Sequence, residues 1–315
     1  MTRRRLFVHG VFLLLLPIIV AAFGISVAGS IALVVLMLVW RWAISISGLV
    51  VPERAPALVL DTIGVSHFAE KVRWCMDRLE LDYTESKAVG TVLVWLTGRT
   101  VPRLRFRTGA VESSIGNSPE ILRYLWGRYG TEDDRAAFLE PTPERLALET
   151  DLDRYGRSQQ VWIYYHLPAN RELLLKAWGA DDPATPGWQR LFARVCYPLL
   201  TLLIRKSFRV SQPHYEKSVE RIEVLLEDID MRLADGRRSI LGGDSINYTD
   251  IAFAALSGPW LQPVGYGGGK ADNERIDRDS APDGMRRDIE RWIEDYPKAV
   301  AFIENLYNNE RLAKT

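Results

Sequence analysis

The chain has 315 residues, enough for two domains, and its 40 basic side chains are matched by 40 acidic ones. Four of the arginines lie in the first 50 residues, which hold no acidic residue, so the rest of the chain is slightly acidic. That balance argues against nucleic acid as the main partner. The two cysteines, Cys75 and Cys196, form no CxxC pair and no metal-ligand spacing. We therefore expect no bound metal, a reducing compartment, and thiols buried as small apolar groups.

Residues 6–51 are almost wholly apolar. The runs 6–23 and 31–51 are each close to the length of a membrane-spanning helix. Arginines at positions 3–5 and Arg41 stand at the two outer ends, which favours a hairpin with both ends on the cytoplasmic side. The pattern predicts a membrane protein, in the inner (cytoplasmic) membrane if bacterial, with its folded domains in the cytoplasm. A single span or a cleaved secretory signal is the alternative.

A small α/β domain follows over residues 55–130. Residues 57–60 have the length and composition of a buried strand, and a turn ending at Ser66 begins a helix with one apolar stripe. A weak strand lies near Tyr83. Residues 103–107 alternate as a strand with one buried face does, and a hairpin leads to a second helix. The order strand, helix, strand, strand, strand, helix predicts an α/β fold.

The second helix start of this domain lies at Ser118. Serine is a good N-cap residue, and Pro119 suits the first helical position after it. The apolar residues that follow recur at helical spacing. The sequence therefore predicts a helix capped by Ser118.

Residues 131–315 show helical periodicity and no recurring strand pattern, which predicts an all-helical domain. Its best-marked helix begins at Asn247, with Asp250 completing a variant of the capping box. Both residues have a structural explanation and need no catalytic role. The segment 183–215 has no acidic residue. It suits a basic amphipathic helix on anionic lipid or an ordinary bundle helix, and we favour the bundle helix.

Four motifs resemble those of the glutathione transferase superfamily. They are Ser66-x-Phe68-x-x-Lys71-Val72-Arg73, Val101-Pro102, Ser118-x-x-Ile121-x-x-Tyr124-Leu125 and the capping box at Asn247. The resemblance covers about residues 57–315. It implies a thioredoxin-like N-terminal domain and an all-helical C-terminal domain, here preceded by the predicted transmembrane hairpin at residues 1–54. Four motifs in this order are more specific for the fold than for an activity.

The resemblance also implies a glutathione-binding site without a metal. Ser66 stands where the family has its activating residue, so its hydroxyl and the helix dipole would stabilise the thiolate. A cis bond between Val101 and Pro102 would expose the Val101 N–H and C=O to the glutathione backbone. Ser118 and the amides beside it would hold the γ-glutamyl carboxylate. A simple N-cap role for Ser66 is the other interpretation.

Several positions depart from the family pattern. Asn117 replaces the acid that usually precedes the second serine, which weakens recognition of the glutathione ammonium group. The pair Glu112-Ser113 offers an alternative acid and serine in another register, although we prefer the later serine. Ser66 replaces the cysteine of glutaredoxin-like members, so we expect no disulfide exchange. We expect His67 to be a solvated surface residue.

Trp162, Tyr164 and Tyr165 lie in the helix that faces the second-substrate pocket in this superfamily, and we expect core packing for at least two of them. The sequence as a whole predicts a membrane-tethered glutathione transferase acting on a hydrophobic electrophile. Its partners would be glutathione, an apolar small molecule, membrane lipid and a second copy in a homodimer. A non-catalytic binding module with the same fold is the alternative. Lyase, isomerase or dehalogenase chemistry forms a third class.

Overall fold

The computed structural model describes residues 26–50, 56–87, 101–108, 111–130 and 134–311. The strands are β1 (Ala57–Thr62), β2 (Tyr83–Lys87), β3 (Arg103–Thr108) and β4 (Val111–Gly116). The helices are α1 (Val27–Val50), α2 (His67–Arg78), α3 (Ser118–Tyr129), α4 (Pro143–His166), α5 (Arg171–Ala177), α6 (Gly187–Val195), α7 (Tyr197–Ser207), α8 (Gln212–Arg232), α9 (Tyr248–Leu261), α10 (Asp283–Asp295) and α11 (Pro297–Asn309).

The four strands form one sheet in the order β2-β1-β3-β4. In β1 the side chains of Leu58, Leu60 and Thr62 are buried, and those between them are more exposed, as expected for a strand with one buried face. The helix α2 connects β1 to β2, and α3 follows the β3-β4 pair. This is a thioredoxin-like α/β arrangement followed by helices, which confirms the predicted fold class for the described chain after residue 55.

The chain divides into two compact units. One contains α1 and most of each strand. The other contains the remaining helices, the turn before α2 and the segment that ends at Arg103. All five site residues predicted from the sequence belong to this second unit. The predicted domain boundary at residue 130 stays a prediction.

The predicted membrane hairpin is not supported. Its second span corresponds to α1, and no helix among the described residues is long and apolar enough to cross a membrane. The prediction of a membrane location is therefore wrong, and lipid as a partner stays a prediction without support. The first predicted span, residues 6–23, lies outside the described residues.

The helix α9 is the centre of the second unit. Every residue of α9 is buried except Pro259, which is half-buried. Asn247 Oδ1 accepts a hydrogen bond from Thr249 N at 2.9 Å, and Asp250 Oδ2 accepts one from Asn247 N at 2.8 Å. The predicted capping box is therefore confirmed. The helices α2, α4 and α11 all pack against α9.

The acid-free segment 183–215 forms two helices instead of one. The helices α6 and α7 meet at Cys196, and α7 packs against α4. Leu200 and Ile204 of α7 are buried. The segment therefore takes the form of bundle helices, which was the favoured interpretation.

Candidate functional site

Ser66 caps the N-terminus of α2. Its Oγ accepts a hydrogen bond from Ala69 N at 3.3 Å, and its own N–H donates to Ile63 O at 2.9 Å. The hydroxyl proton has no acceptor among the described residues. Ser66 therefore serves as a helix cap with its lone pair and still has a proton to donate, so the two interpretations of this residue are compatible.

The turn before Ser66 is held by residues from the segment after α9. Tyr266 Oη donates a hydrogen bond to Val65 O at 2.8 Å. The Glu274 carboxylate lies directly against Gly64, where a Cβ atom would be only 1.4 Å from Glu274 Oε2. A side chain at position 64 would therefore displace the Glu274 carboxylate. Sequence reasoning missed these contacts, since Tyr266 lies 201 positions from Val65 and no local pattern links them.

Ser66 borders a cavity of about 90 Å³, which we call the Ser66 pocket. Its other lining residues are Ile63, Val65, His67, Gln160, Ile163, Tyr164, Leu167, Leu174, Ala177 and Trp178. The walls are mostly apolar, and the Ser66 hydroxyl lies at the N-terminus of a 12-residue helix. The pocket therefore combines a hydrogen-bond donor and a positive helix end with apolar surroundings, which suits a thiolate and an apolar reactant.

Of the three aromatic residues singled out in α4, only Tyr164 lines the Ser66 pocket. Trp162 is fully buried and donates its Nε1–H to Asp288 Oδ2 at 2.9 Å. Tyr165 stacks on Tyr215 with ring centroids 4.0 Å apart. Trp162 is therefore in the core, whereas Tyr164 and Tyr165 are only half-buried, so the structure supports the predicted core packing for one of the three.

His67 is buried, so the prediction of a solvated histidine is wrong. Its Nε2 lies 3.0 Å from Gly156 O in α4, and since a carbonyl only accepts, Nε2 carries the proton. Burial lowers the pKa of His67 to about 4, which keeps the ring neutral. Gly156 makes this approach possible, because a Cβ there would lie 2.7 Å from the Phe68 ring.

The bond between Val101 and Pro102 is cis, as the resemblance implies. Val101 is half-buried and Pro102 is buried. The next residue, Arg103, donates from Nε to Asp61 Oδ2 at 2.7 Å, and Asp61 belongs to β1. This ion pair ties the start of β3 to the end of β1, close in sequence to the turn that carries Ser66.

The helix α3 begins at Ser118, so Asn117 occupies the cap position, one residue before the predicted cap. Asn117 has φ 72° and makes no side-chain capping hydrogen bond. Ser118 is 1% exposed, and its Oγ has no hydrogen-bond partner among the described residues. A buried hydroxyl without a partner costs about 1–3 kcal/mol. An anion at this helix start would supply the missing acceptor.

The alternative acid and serine pair, Glu112-Ser113, lies in the strand β4 and not at a helix start. Glu112 Oε2 accepts a hydrogen bond from Arg105 Nη1 at 3.0 Å across the β3-β4 pair. Arg105 and Glu112 therefore form a cross-strand ion pair. Ser113 therefore does not stand at a helix N-terminus, and the assignment of Ser118 to the site stays a prediction.

Glu149 of α4 joins the two helices that begin at the predicted serines. Lys71 Nζ of α2 donates to Glu149 Oε1 at 2.8 Å, and Arg123 Nη2 of α3 donates to Glu149 Oε2 at 2.8 Å. Lys71 is fully buried and the Glu149 side chain is 6% exposed. Sequence reasoning found Lys71 as a motif residue but not its partner, since no local pattern marks a carboxylate 78 residues away.

A second buried ion network lies along α2. Glu70 accepts hydrogen bonds from Arg73 Nη1 at 2.6 Å and from Arg311 Nε at 2.8 Å. Arg311 Nη1 also donates to Asp77 Oδ2 at 2.8 Å. Arg311 thereby fixes the chain after α11 to α2, and it leaves the motif residue Arg73 in a structural role.

The cysteines do not contribute chemistry to this site. Cys75 is fully buried, and burial raises the pKa of its thiol to about 12, which confirms the prediction for this residue. Cys196 is only half-buried, so its thiol is not buried as predicted. Within the described ranges, no group of three or more His, Cys, Asp and Glu side chains could hold a metal ion.

No family model matches the chain, and no curated protein matches it either. The chain is similar to a solved glutathione S-transferase from Methylobacterium radiotolerans in complex with glutathione sulfonate. The two are 16% identical over 82% of this chain and 96% of the other, with a TM-score of 0.49. It is also similar to the glutathione transferase YghU from Streptococcus pneumoniae, complexed with glutathione. This match has 16% identity, covers 83% of this chain and 82% of the other, and has a TM-score of 0.44.

A theta class glutathione S-transferase from Xanthomonas axonopodis pv. citri, with glutathione bound, gives a further match. It is 18% identical over 79% of this chain and 97% of the other, with a TM-score of 0.34. Similarity at this level concerns the course of the chain and not its ligands. The function proposed below therefore rests on the chain's own residues.

Proposed function

We propose that this protein is a glutathione transferase, which adds the thiolate of glutathione to an electrophilic carbon of an apolar small molecule. The carbon–sulfur bond forms as the leaving group departs with its electron pair, or as the attacked double bond takes up a proton. The observation that carries the proposal is the Ser66 hydroxyl, which borders an apolar pocket at a helix N-terminus and keeps its proton available. Membrane attachment is not part of this proposal.

The strength of the Ser66 interaction is sufficient for this role. A free thiol has a pKa near 8.5, so only a few per cent is ionised at neutral pH. A hydrogen bond to a charged group is worth about 1.5–3 kcal/mol, and a helix N-terminus adds about 0.3–1 kcal/mol. Together they can lower the thiol pKa by about two units, which corresponds to roughly 2.7 kcal/mol. The bound thiol would then be mostly thiolate at neutral pH.

Glutathione is the thiol we propose because the remaining site residues suit its other groups. Ser118 Oγ and the first amides of α3 would bind the γ-glutamyl carboxylate. The backbone N–H and C=O of Val101 would pair with the peptide. Asn117 would accept a hydrogen bond from the ammonium group without supplying a charge. The resemblance of the four motifs supports this assignment of roles.

The test compares Ser66→Ala with Ser66→Asp and Ser66→Thr in glutathione addition to an aryl halide. Asp preserves the helix cap but has no proton to donate and repels a thiolate, whereas Thr preserves both the cap and the proton. We expect kcat/KM to fall about tenfold to hundredfold in Ser66→Ala and at least as far in Ser66→Asp, with Thr retaining most activity. Equal activity in all four proteins, or none in the wild type, would contradict the proposal.

The alternative is a non-catalytic binding module with this fold, and the neutral Asn117 favours it. This alternative predicts weak or undetectable glutathione binding by calorimetry. Asn117→Asp restores the negative charge, and aspartate tolerates the positive φ at this position. Tighter glutathione binding in Asn117→Asp, together with activity in the wild type, would decide for the transferase.

A further inference from the structure

A cavity of about 620 Å³ lies between α4, α8 and the segment that joins α7 to α8, and we call it the arginine groove. Arg154, Arg157 and Val161 line it from α4, and His214 and Arg221 line it from α8. These positions are three, four or seven residues apart, so one face of each helix forms a wall of the groove. Its volume is in the range of sites that bind small molecules.

The arginine groove is positively charged, since its lining includes four arginines and no Asp or Glu. Arg154 pairs with Asp151 at 2.8 Å, and both side chains are exposed. The other three arginines, at positions 157, 209 and 221, form no ion pair among the described residues. Asp153 attracts Arg157 through space, but it also lies 3.6 Å from Lys71 Nζ. The groove therefore has an excess of positive charge that an anion would neutralise.

Ser158 supplies a hydrogen-bond donor within the groove. The residue is 4% exposed, and its hydroxyl has no hydrogen-bond partner among the described residues. In contrast to Ser118 Oγ, Ser158 Oγ is not completely enclosed, so a molecule in the groove can reach it. The hydroxyl of a buried serine normally has a partner. A ligand with an acceptor oxygen would provide one here.

Arg209 lines the groove from a backbone conformation that favours glycine. It follows α7 with φ 50°, and Val210 N donates to Arg205 O at 2.9 Å, as in the common glycine-containing end of a helix. A side chain at this position costs stability. His214 Nδ1 lies 3.1 Å from Arg209 O and connects the turn to α8. An arginine where glycine would be more stable favours a role for its guanidinium group in the groove.

The three unpaired guanidinium groups indicate the class of anion. A guanidinium group matches the oxygens of a phosphate with paired N–H donors. One phosphate monoester group carries about 1.5 to 2 negative charges at neutral pH, so a single phosphate would leave one of the three cations unmatched. Two phosphate groups balance all three. The groove also has space for an organic group, and Phe208 provides half-buried apolar surface for it.

The arginine groove adjoins the Ser66 pocket without coinciding with it. Gln160 lines both cavities. Tyr164 of the Ser66 pocket stacks on Phe208 of the groove, with ring centroids 5.1 Å apart. A ligand in the groove would therefore leave the proposed thiol site open.

We infer that the arginine groove binds a small organic diphosphate. Arg157, Arg209 and Arg221 pair with its phosphate oxygens, and Ser158 Oγ donates a hydrogen bond to one of them. The inference does not depend on the proposed transferase activity.

The test is calorimetric titration of the full chain with inorganic pyrophosphate, inorganic phosphate and ADP, without divalent cations and at about 0.15 M salt. We expect pyrophosphate to bind at least about tenfold more tightly than phosphate, the value of one further charge-assisted contact. ADP, which adds an organic group to the diphosphate, should bind at least as tightly as pyrophosphate. Equal binding of phosphate and pyrophosphate, absence of binding, or much weaker binding of ADP would each overturn the inference.

Two variants within the groove separate binding from folding. Arg209→Gly should weaken pyrophosphate binding about tenfold to hundredfold. Because glycine suits the positive φ, the same variant should keep or raise the midpoint of thermal unfolding. Ser158→Ala should also weaken binding and should leave the midpoint nearly unchanged, since its hydroxyl has no partner in the free protein.

The control for net charge lies on the same helix as Arg221. Arg232→Gln removes an exposed arginine that pairs with Asp228, and it should bind pyrophosphate as the wild type does. Equal losses of affinity in Arg209→Gly and Arg232→Gln would show that only the overall charge matters and would overturn the inference. Ser66→Ala should bind pyrophosphate normally, so a failure of the transferase proposal remains distinguishable.

Discussion

The two helix starts of the candidate site each contain a serine, and the two serine hydroxyls differ in their hydrogen bonding. At α2, Ser66 Oγ accepts a hydrogen bond from Ala69 N, and Tyr266 and Glu274 hold the preceding turn. At α3, the buried Ser118 Oγ has no partner among the described residues. The first helix start is complete without a ligand, and the second is not. This difference agrees with the proposed roles, in which Ser66 acts on the thiolate and Ser118 binds the carboxylate.

Breaking the link that Glu149 forms between α2 and α3 should have the largest effect on stability. Glu149→Gln removes the carboxylate that pairs with Lys71 and Arg123 and leaves the buried Lys71 with only the more distant Asp153, at 3.6 Å. We expect the free energy of unfolding to fall by about 3–5 kcal/mol, as measured by denaturant titration.

The control for this variant lies on the same helix. Asp151→Asn removes an exposed ion pair with Arg154 and should change the free energy of unfolding by less than about 1 kcal/mol. Similar losses in the two variants would show that the buried network does not hold the two helix starts together.

The turn before Ser66 should also respond to pH. The folded-state pKa of Glu274 is raised from its usual 4.5 to about 7, so the folded protein binds this proton more tightly than the unfolded chain does. Its stabilising contribution is complete below the unfolded pKa and is lost as pH rises through 7. We expect the wild type to lose roughly 2.5 kcal/mol between pH 5 and pH 8 relative to Glu274→Gln. Parallel stability curves for the two proteins would contradict this.

Removing the Ser118 hydroxyl should affect the stability of the free protein and its binding of glutathione in different directions. Because Ser118 Oγ is buried without a partner, Ser118→Ala should keep or raise the free energy of unfolding of the free protein, by up to about 1–2 kcal/mol. The same variant should bind glutathione more weakly, as measured by calorimetry. A loss of stability without loss of binding would assign Ser118 a purely structural role.

The smallest effect is expected for the cap at Ser66. Ser66→Ala should lower the free energy of unfolding by about 1 kcal/mol, and Ser66→Asp should restore it, because Asp caps a helix as well as Ser. Thermal unfolding of the two variants measures this. Ser66→Ala should lower the free energy of unfolding, whereas Ser118→Ala should keep or raise it. The two alanine variants together therefore test the difference between the helix starts.

Sequence reasoning succeeded where the determinants are local. The capping box at Asn247 and the helix start at Ser66 follow from neighbouring residues that bond to one another. The order of strands and helices along the α/β part follows from apolar patterns within each element. The membrane hairpin was also predicted from local apolar composition, and no helix among the described residues supports it.

The sequence by itself determined the order of strands and helices and the caps at Ser66 and Asn247, because these depend on hydrogen bonds and apolar periodicity within a few residues. Only the tertiary structure decided which side chains are buried together. It buried His67 against Gly156, paired Lys71 with Glu149, and placed Glu274 against Gly64 with one oxygen unsatisfied. Such contacts join residues about 80 to 200 positions apart, where desolvation and long-range packing, not local propensity, set the outcome.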